Sequence, residues 1–201
     1  GLAQDDPSMR CGRHPARGAP GQGRGPSRGV GLALGCGLVV AAAELPYIDW
    51  RRVVPPVETR RLVVRKDAKG DGRFLSPRSG ERLHRGVDLA APLDSPVHAI
   101  RSGRVVEVGR HGGLGRFVEL SHRGRLRSLY AHLNTVSVRP GARVRQGAVI
   151  GTVGKTGNAR HRWIIPHLHL EVRRGAERVD PQSLGLRVEE VKGPDDAREG
   201  G

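Results

Sequence analysis

The pattern of apolar and polar positions changes character along this chain. From Val30 to Ala43 (VGLALGCGLVVAAA) it is unbroken by any charged residue. From Leu62 to about Leu184 apolar positions come instead in short alternating runs between Gly, Pro and Asp turns. Gly103–Val108, Phe117–Ser121, Leu126–Leu133, Val149–Val153 and Leu168–Val172 are such runs. A period of two marks a half-buried strand, because successive side chains point to opposite faces. Val138-Arg139-Pro140-Gly141 and Arg145-Gln146-Gly147 read as turns. No strong helix signal with caps stands out. The pattern predicts an all-β, antiparallel β-sheet domain.

The flanks are different in kind. Residues 1–28 carry Arg, Gly and Pro with little that is apolar, and cannot bury enough surface to fold. The apolar run follows Arg24 and Arg28 and ends in Ala41-Ala42-Ala43, the layout of a secretory signal peptide cleaved after Ala43. It is short for a membrane span, which needs about 20 residues. No stable span is expected; an uncleaved anchor at 30–43 is the minor alternative. Ala33-Leu34-Gly35-Cys36 makes a poor lipidation box. The expected organisation is a basic leader and signal peptide or anchor over 1–43, a linker over 44–61, a domain over 62–184 and a polar tail over 185–201. Both tails are expected to be disordered. The protein is placed outside the cytoplasm, secreted or periplasmic, in the cell envelope.

Composition adjusts this picture in three ways. Aromatic content is only 3%, so the core must come from Val, Leu, Ile and Ala. Thirty Gly and 14 Pro argue for many turns and against a helical bundle. Formal net charge is +15, which attracts polyanions. That charge is almost all arginine and is spread along the chain, not gathered in one patch. A nucleic-acid partner is not expected; anionic wall polymers stay as a secondary one. Cys11 and Cys36 both precede residue 44, so a processed chain would hold metal only through His, Asp or Glu.

Five residues form a constellation. His84 and Asp88 stand in HRGVD, His132 in LYAHL, and His167 and His169 in PHLHLEV. On a strand, 167 and 169 share one face while Leu168 and Leu170 point into the core. Gly86 and Val87 argue against a helix, so His84 reads as a loop residue leading into a strand that carries Asp88. A carboxylate on an otherwise apolar strand is costly unless it meets a proton donor or a metal. A catalytic zinc site keeps three protein ligands and one open position. Spacing alone offers five candidates for three places. His98, His111 and His122 read as surface or turn residues, with His161 nearer the site. Alternation puts Glu171 on the same side as His169, in a solvated or supporting role.

HRGVDLAAP, SLYAHL and PHLHLEV, in this order, resemble the motifs of the lysostaphin-like (LytM-type) zinc peptidases of bacterial cell walls. DSPVHAIRSGRVVEVG, VRPGARVRQGAVIGTVGKTGN and RVDPQSL fit the same pattern. The resemblance covers roughly Gly70 to Leu184. It implies the lysostaphin-like, duplicated hybrid motif type of fold and one Zn2+ per chain. It implies His84, Asp88 and His169 as metal ligands, and His132 and His167 as catalytic histidines. The implied activity is zinc-dependent hydrolysis of peptide cross-links or stem peptides of peptidoglycan, by a monomer. The alternative on the same fold is a non-catalytic regulator of other wall hydrolases, a role marked by lost zinc ligands; here all five positions are present. A phosphocarrier-like role is disfavoured by the Asp in HRGVD. Two departures stand out. The segment between Gly157 and His167 is longer than usual and carries Trp163-Ile164-Ile165, either a lip that contacts substrate or packing on the domain. Leu170 replaces the usual Phe.

Overall fold

Turns decide where the alternating runs stop, and the runs then pair. A computed structural model describes Asp49 and residues 51–190. The signal peptide or anchor expected at 30–43 lies outside these residues, as does all of the tail beyond residue 190. The strands are β1 (Lys66–Asp67), β2 (Gly70–Asp71), β3 (Val87–Ala90), β4 (Pro96–His98), β5 (Gly103–His111) and β6 (Gly115–Ser121). They continue with β7 (Leu126–Val136), β8 (Arg143–Val144), β9 (Val149–Val153), β10 (His167–Arg174) and β11 (Glu177–Val179). Two single-turn 3-10 helices follow β9 and β11, at Gly157–Arg160 and Pro181–Leu184. The described chain is thus all-β, with β1 and β2 paired apart from one nine-stranded antiparallel sheet.

Each of the five runs read from the sequence lies inside a strand. Four of these strands extend further than the alternation alone suggested. The tight turn Gly112–Leu114 closes a hairpin, which keeps β5 and β6 paired out to His111 and Gly115. Pro140–Gly141 and Gln146–Gly147 are turns, with both glycines in the left-handed region.

The central part of the sheet runs β11-β10-β7-β6-β5-β8. β10 lies against β7 on one side, and β3 and β11 share its other edge. Leu168, Leu170 and Val172 project to the core with Leu89, Leu120, Leu126, Tyr130 and Ile150, all essentially fully buried. Each buried leucine favours this register by roughly 1.5–3 kcal/mol over exposure. A one-residue slip would turn the leucines out and the histidines in, so the core fixes which face His167 and His169 present.

Part of the segment ahead of Leu62 packs on the domain. Val57 is buried and bridges to Val97, and the Asp49 carboxylate accepts from Arg101 Nε and Ser102 N, both at 3.0 Å. Beyond Leu184, Leu186 is buried and Glu189 exchanges backbone hydrogen bonds with Leu62 and Val64. Apolar side chains at 57 and 186 account for both attachments.

Candidate metal centre

Register alone aligns the first two residues. Asp88 on β3 is the direct partner of His169 on β10, and His169 also faces Ala131 on β7. Asp88 and His169 therefore meet side by side across one ladder. His84 comes from the loop before β3, where its N–H donates to Ser76 O and its carbonyl accepts from Leu75 N. Gly86 makes this approach possible. A Cβ there would lie 2.2 Å from the carbonyl oxygen of Leu170.

The three side chains converge on one point. His169 Nδ1 lies 2.7 Å from Asp88 Oδ1, and His84 Nε2 lies 3.0 Å from His169 Nδ1 and 3.1 Å from Asp88 Oδ1. Among the described residues, His84, Asp88 and His169 form a group able to hold a metal ion. Ligands 2.0–2.1 Å from a tetrahedral zinc stand about 3.4 Å apart, so small outward shifts admit an ion. The outer atoms are already satisfied. His84 Nδ1 donates to Arg73 O at 2.8 Å, and His169 Nε2 donates to Glu171 Oε1 at 3.1 Å. Asp88 Oδ2 accepts from Arg65 at 3.0 Å, while Arg78 lies 3.5 Å away. Such outer contacts orient ligands and fix which ring nitrogen faces a metal.

Two further histidines close the cleft. His132 and His167 have ring centroids 4.9 Å apart, and His132 stands 5.7 Å from His169. Each donates Nδ1–H to a backbone carbonyl, His132 to Thr156 O at 2.9 Å and His167 to Ile165 O at 2.7 Å. Each therefore keeps Nε2 as a free acceptor. His167 Nε2 is 3.9 Å from Asp88 Oδ1. His132 has φ of 62°, the left-handed region, inside β7 where the ladder slips register against both β6 and β9. A bulge of this kind re-aims a side chain, and a non-glycine residue there stores roughly 1–3 kcal/mol. Nothing in SLYAHL marks this backbone beforehand.

Electrostatics divides the histidines. Burial disfavours charge on His169, but its hydrogen bonds to Asp88 and Glu171 outweigh that and carry it up to about 9. Burial, then the neighbouring His167 and His169, push His132 down to about 3. Burial also lowers His167. Asp88 is desolvated, yet hydrogen bonds from His169 and His84 hold it well below the usual carboxylate range.

The structure thus brings His84, Asp88, His132, His167 and His169 into one cleft of about 660 Å³. Of the other histidines, His98 pairs with Glu58 at 3.0 Å and His122 hydrogen-bonds Ser128 at 2.7 Å, both away from this cleft. His111 is exposed on its rim. Arg65 and Arg78 escaped the sequence reading, because they stand 23 and 10 residues from their partner Asp88 in sequence. Their one signal is a charged residue, Arg65, directly after the apolar pair Val63-Val64.

The long segment before β10 divides its roles. Ile164 lines the cleft, and Trp163 is 64% exposed with the Arg162 guanidinium 4.2 Å over its ring. Ile165 N donates to Asp67 Oδ2 at 3.0 Å, and Asp67 in turn pairs with Arg65 at 2.6 Å. One buried arginine therefore steadies both Asp88 and the loop that holds His167.

Comparison with known proteins places this fold in a family. Residues 82–181 match Peptidase family M23. The chain is 32% identical to the catalytic domain of the antimicrobial peptidase lysostaphin from Staphylococcus simulans, with a TM-score of 0.51, covering 59% of this chain and 92% of that one. An all-β sheet with this cleft defines the lysostaphin-like (LytM-type) fold. The chain belongs to that family, the M23 peptidases. Among curated relatives, the DD-carboxypeptidase/endopeptidase Mpg of Neisseria meningitidis serogroup B is 43% identical over 116 residues, 58% of this chain and 26% of Mpg. The Lipoprotein NlpD/LppB homolog of Pseudomonas aeruginosa is 38% identical over 111 residues, 55% of this chain and 35% of that protein. The chain thus spans about a quarter to a third of the length of these relatives.

Proposed function

We propose that this protein is a zinc-dependent endopeptidase that hydrolyses peptide cross-links or stem peptides of bacterial peptidoglycan. The observation that carries the reading is the meeting of two unlike sets in one cleft. His84, Asp88 and His169 offer three inward atoms, and His132 and His167 offer two free acceptors beside them.

His84 Nε2, Asp88 Oδ1 and His169 Nδ1 would hold the zinc ion. When bound, it supplies Lewis-acid polarisation of the scissile carbonyl and lowers the pKa of water. The remaining work falls to the chain. Arg65 and Glu171 keep the ligand side chains in place through Asp88 Oδ2 and His169 Nε2. His132 and His167 enter the reaction neutral, with Nε2 directed to the cleft. Either can accept a proton from an attacking water at Nε2, and the ring so charged becomes a donor to the developing oxyanion or the leaving nitrogen. Burial of both rings keeps them uncharged until that moment.

The regulator reading draws on similarity to the NlpD/LppB homolog, and it predicts a cleft that neither binds metal nor cuts. Intact residues at all five positions favour the enzyme. Envelope placement follows from the substrate. Among the described residues no helix is long and apolar enough to cross a membrane. The test is incubation of the zinc-loaded full chain with purified wall sacculi, followed by assay of newly released amino groups. Release is expected, and chelation should abolish it. Intact sacculi in the presence of bound zinc would overturn the enzyme reading.

A further inference from the structure

The polar face of β10 does not end at the histidines. His167, His169, Glu171 and Arg173 alternate along the same face. Pairing extends this face sideways. Leu129 on β7 lies between Glu171 and Glu119 on β6, and Arg173 lies between Arg127 on β7 and Arg178 on β11. A second pocket of about 240 Å³ sits here, lined by Arg85, Arg127, Arg173 and Arg178 with Glu119 and Glu171. Arg85, Leu129 and Glu171 also line the cleft, so the two spaces adjoin.

The charges in this pocket are unevenly committed. Glu119 is buried, and its Oε1 accepts from Arg173 at 2.6 Å and Arg127 at 3.3 Å. One acid thus anchors two guanidinium groups. Glu171 is spent on His169. Arg85 and Arg178 are exposed and act on Glu171 through their charge. Four arginines face two engaged glutamates, which leaves an anion-seeking pocket. Guanidinium is suited to a carboxylate, which it can grip with two parallel hydrogen bonds. From His169 to Arg173 is four strand residues, roughly 13 Å. An extended peptide crosses that distance in about four residues.

We propose that this pocket is a specificity subsite that holds a free carboxylate of the substrate peptide, roughly four residues from the bond cut. The inference rests on the peptidase reading and narrows it: the preferred substrate is an acidic stem peptide, not a glycine run or an amidated peptide. A neutral peptide adds no charged partner to the four arginines, whereas a carboxylate gains charge-assisted hydrogen bonds there.

The test is equilibrium binding to the zinc-loaded full chain. Two probes are used: a cross-linked stem peptide with free carboxylates, and the same peptide with those carboxylates amidated. The free-acid form should bind roughly tenfold tighter, the worth of one or two such hydrogen bonds at an exposed site. In Arg178→Gln, and separately in Arg85→Gln, the preference should fall below about threefold. Arg139→Gln, in the turn after β7, should keep it. Equal binding of both probes by the unaltered protein, or binding of neither, would overturn the subsite. So would Arg178→Gln weakening a poly(glycerol phosphate) chain while the peptide preference stays, since a wall polymer would then be the occupant. Binding is read without turnover. A protein that shows the preference but releases no amino groups from either probe would fail the peptidase reading and not this one.

Discussion

His169 and His132 are the same residue type with ring centres 5.7 Å apart, yet their surroundings send them in opposite directions. His169 rests between two carboxylates, Asp88 and Glu171, and is carried up to about 9. His132 has a backbone carbonyl as its partner and is pushed by burial and neighbouring rings to about 3. The first environment attracts a cation; the second keeps a neutral base. A carboxylate partner brings full charge, whereas a carbonyl only orients the ring. On the proposed function, that difference divides the cleft into a metal corner and a proton-transfer pair.

The sharpest break in this comparison comes from the metal corner. His169→Ala removes the proposed ligand at the meeting point of Asp88 and Glu171, and wall hydrolysis should fall by roughly a thousandfold or more. Release assays on sacculi read this directly. His132→Ala should lower the rate by about 10²–10³ through loss of the proton acceptor, with the fold intact by circular dichroism. A loss under about threefold would show that the left-handed bulge at 132 serves packing and not chemistry.

Smaller effects sharpen the role of the outer partners. Arg65→Met leaves Asp88 and Asp67 without their buried cation and frees the loop at Ile165. Zinc affinity should drop by roughly 10–100-fold, measured by competition with a chelating dye. Thermal stability should fall as well, because one partner of a buried ion pair is left alone. Glu171→Gln keeps a hydrogen-bond acceptor for His169 and loses only the charge, so affinity should fall by about tenfold or less. A larger loss than in Arg65→Met would mean that Glu171 itself reaches the metal.

Much of this was legible in the sequence, for identifiable reasons. Alternation over Leu126–Leu133 and Leu168–Val172 located β7 and β10, because buried leucines leave a period-two trace. The same alternation put His167, His169 and Glu171 on one face. It could not separate their roles, since strand period sets direction and not partners. What stayed hidden is non-local. Arg65 meets Asp88 only after β3 folds against the chain ahead of it, and no spacing rule joins residues 23 apart. The bulge at His132 depends on slipped ladders with β6 and β9. Strands of two or three residues, such as β4 and β8, are too short to show a period. The chain at 44–61 read as a linker because its prolines force extension; the burial of Val57 depends on Val97, far along the sequence.

The most direct measurement compares zinc content in two purified full-length variants, His132→Ala and His169→Ala, after identical zinc loading and desalting. About one zinc per chain is predicted for His132→Ala and close to none for His169→Ala. Equal zinc content in the two variants, whether both full or both empty, would contradict the division of this cleft into a metal corner and a proton-transfer pair.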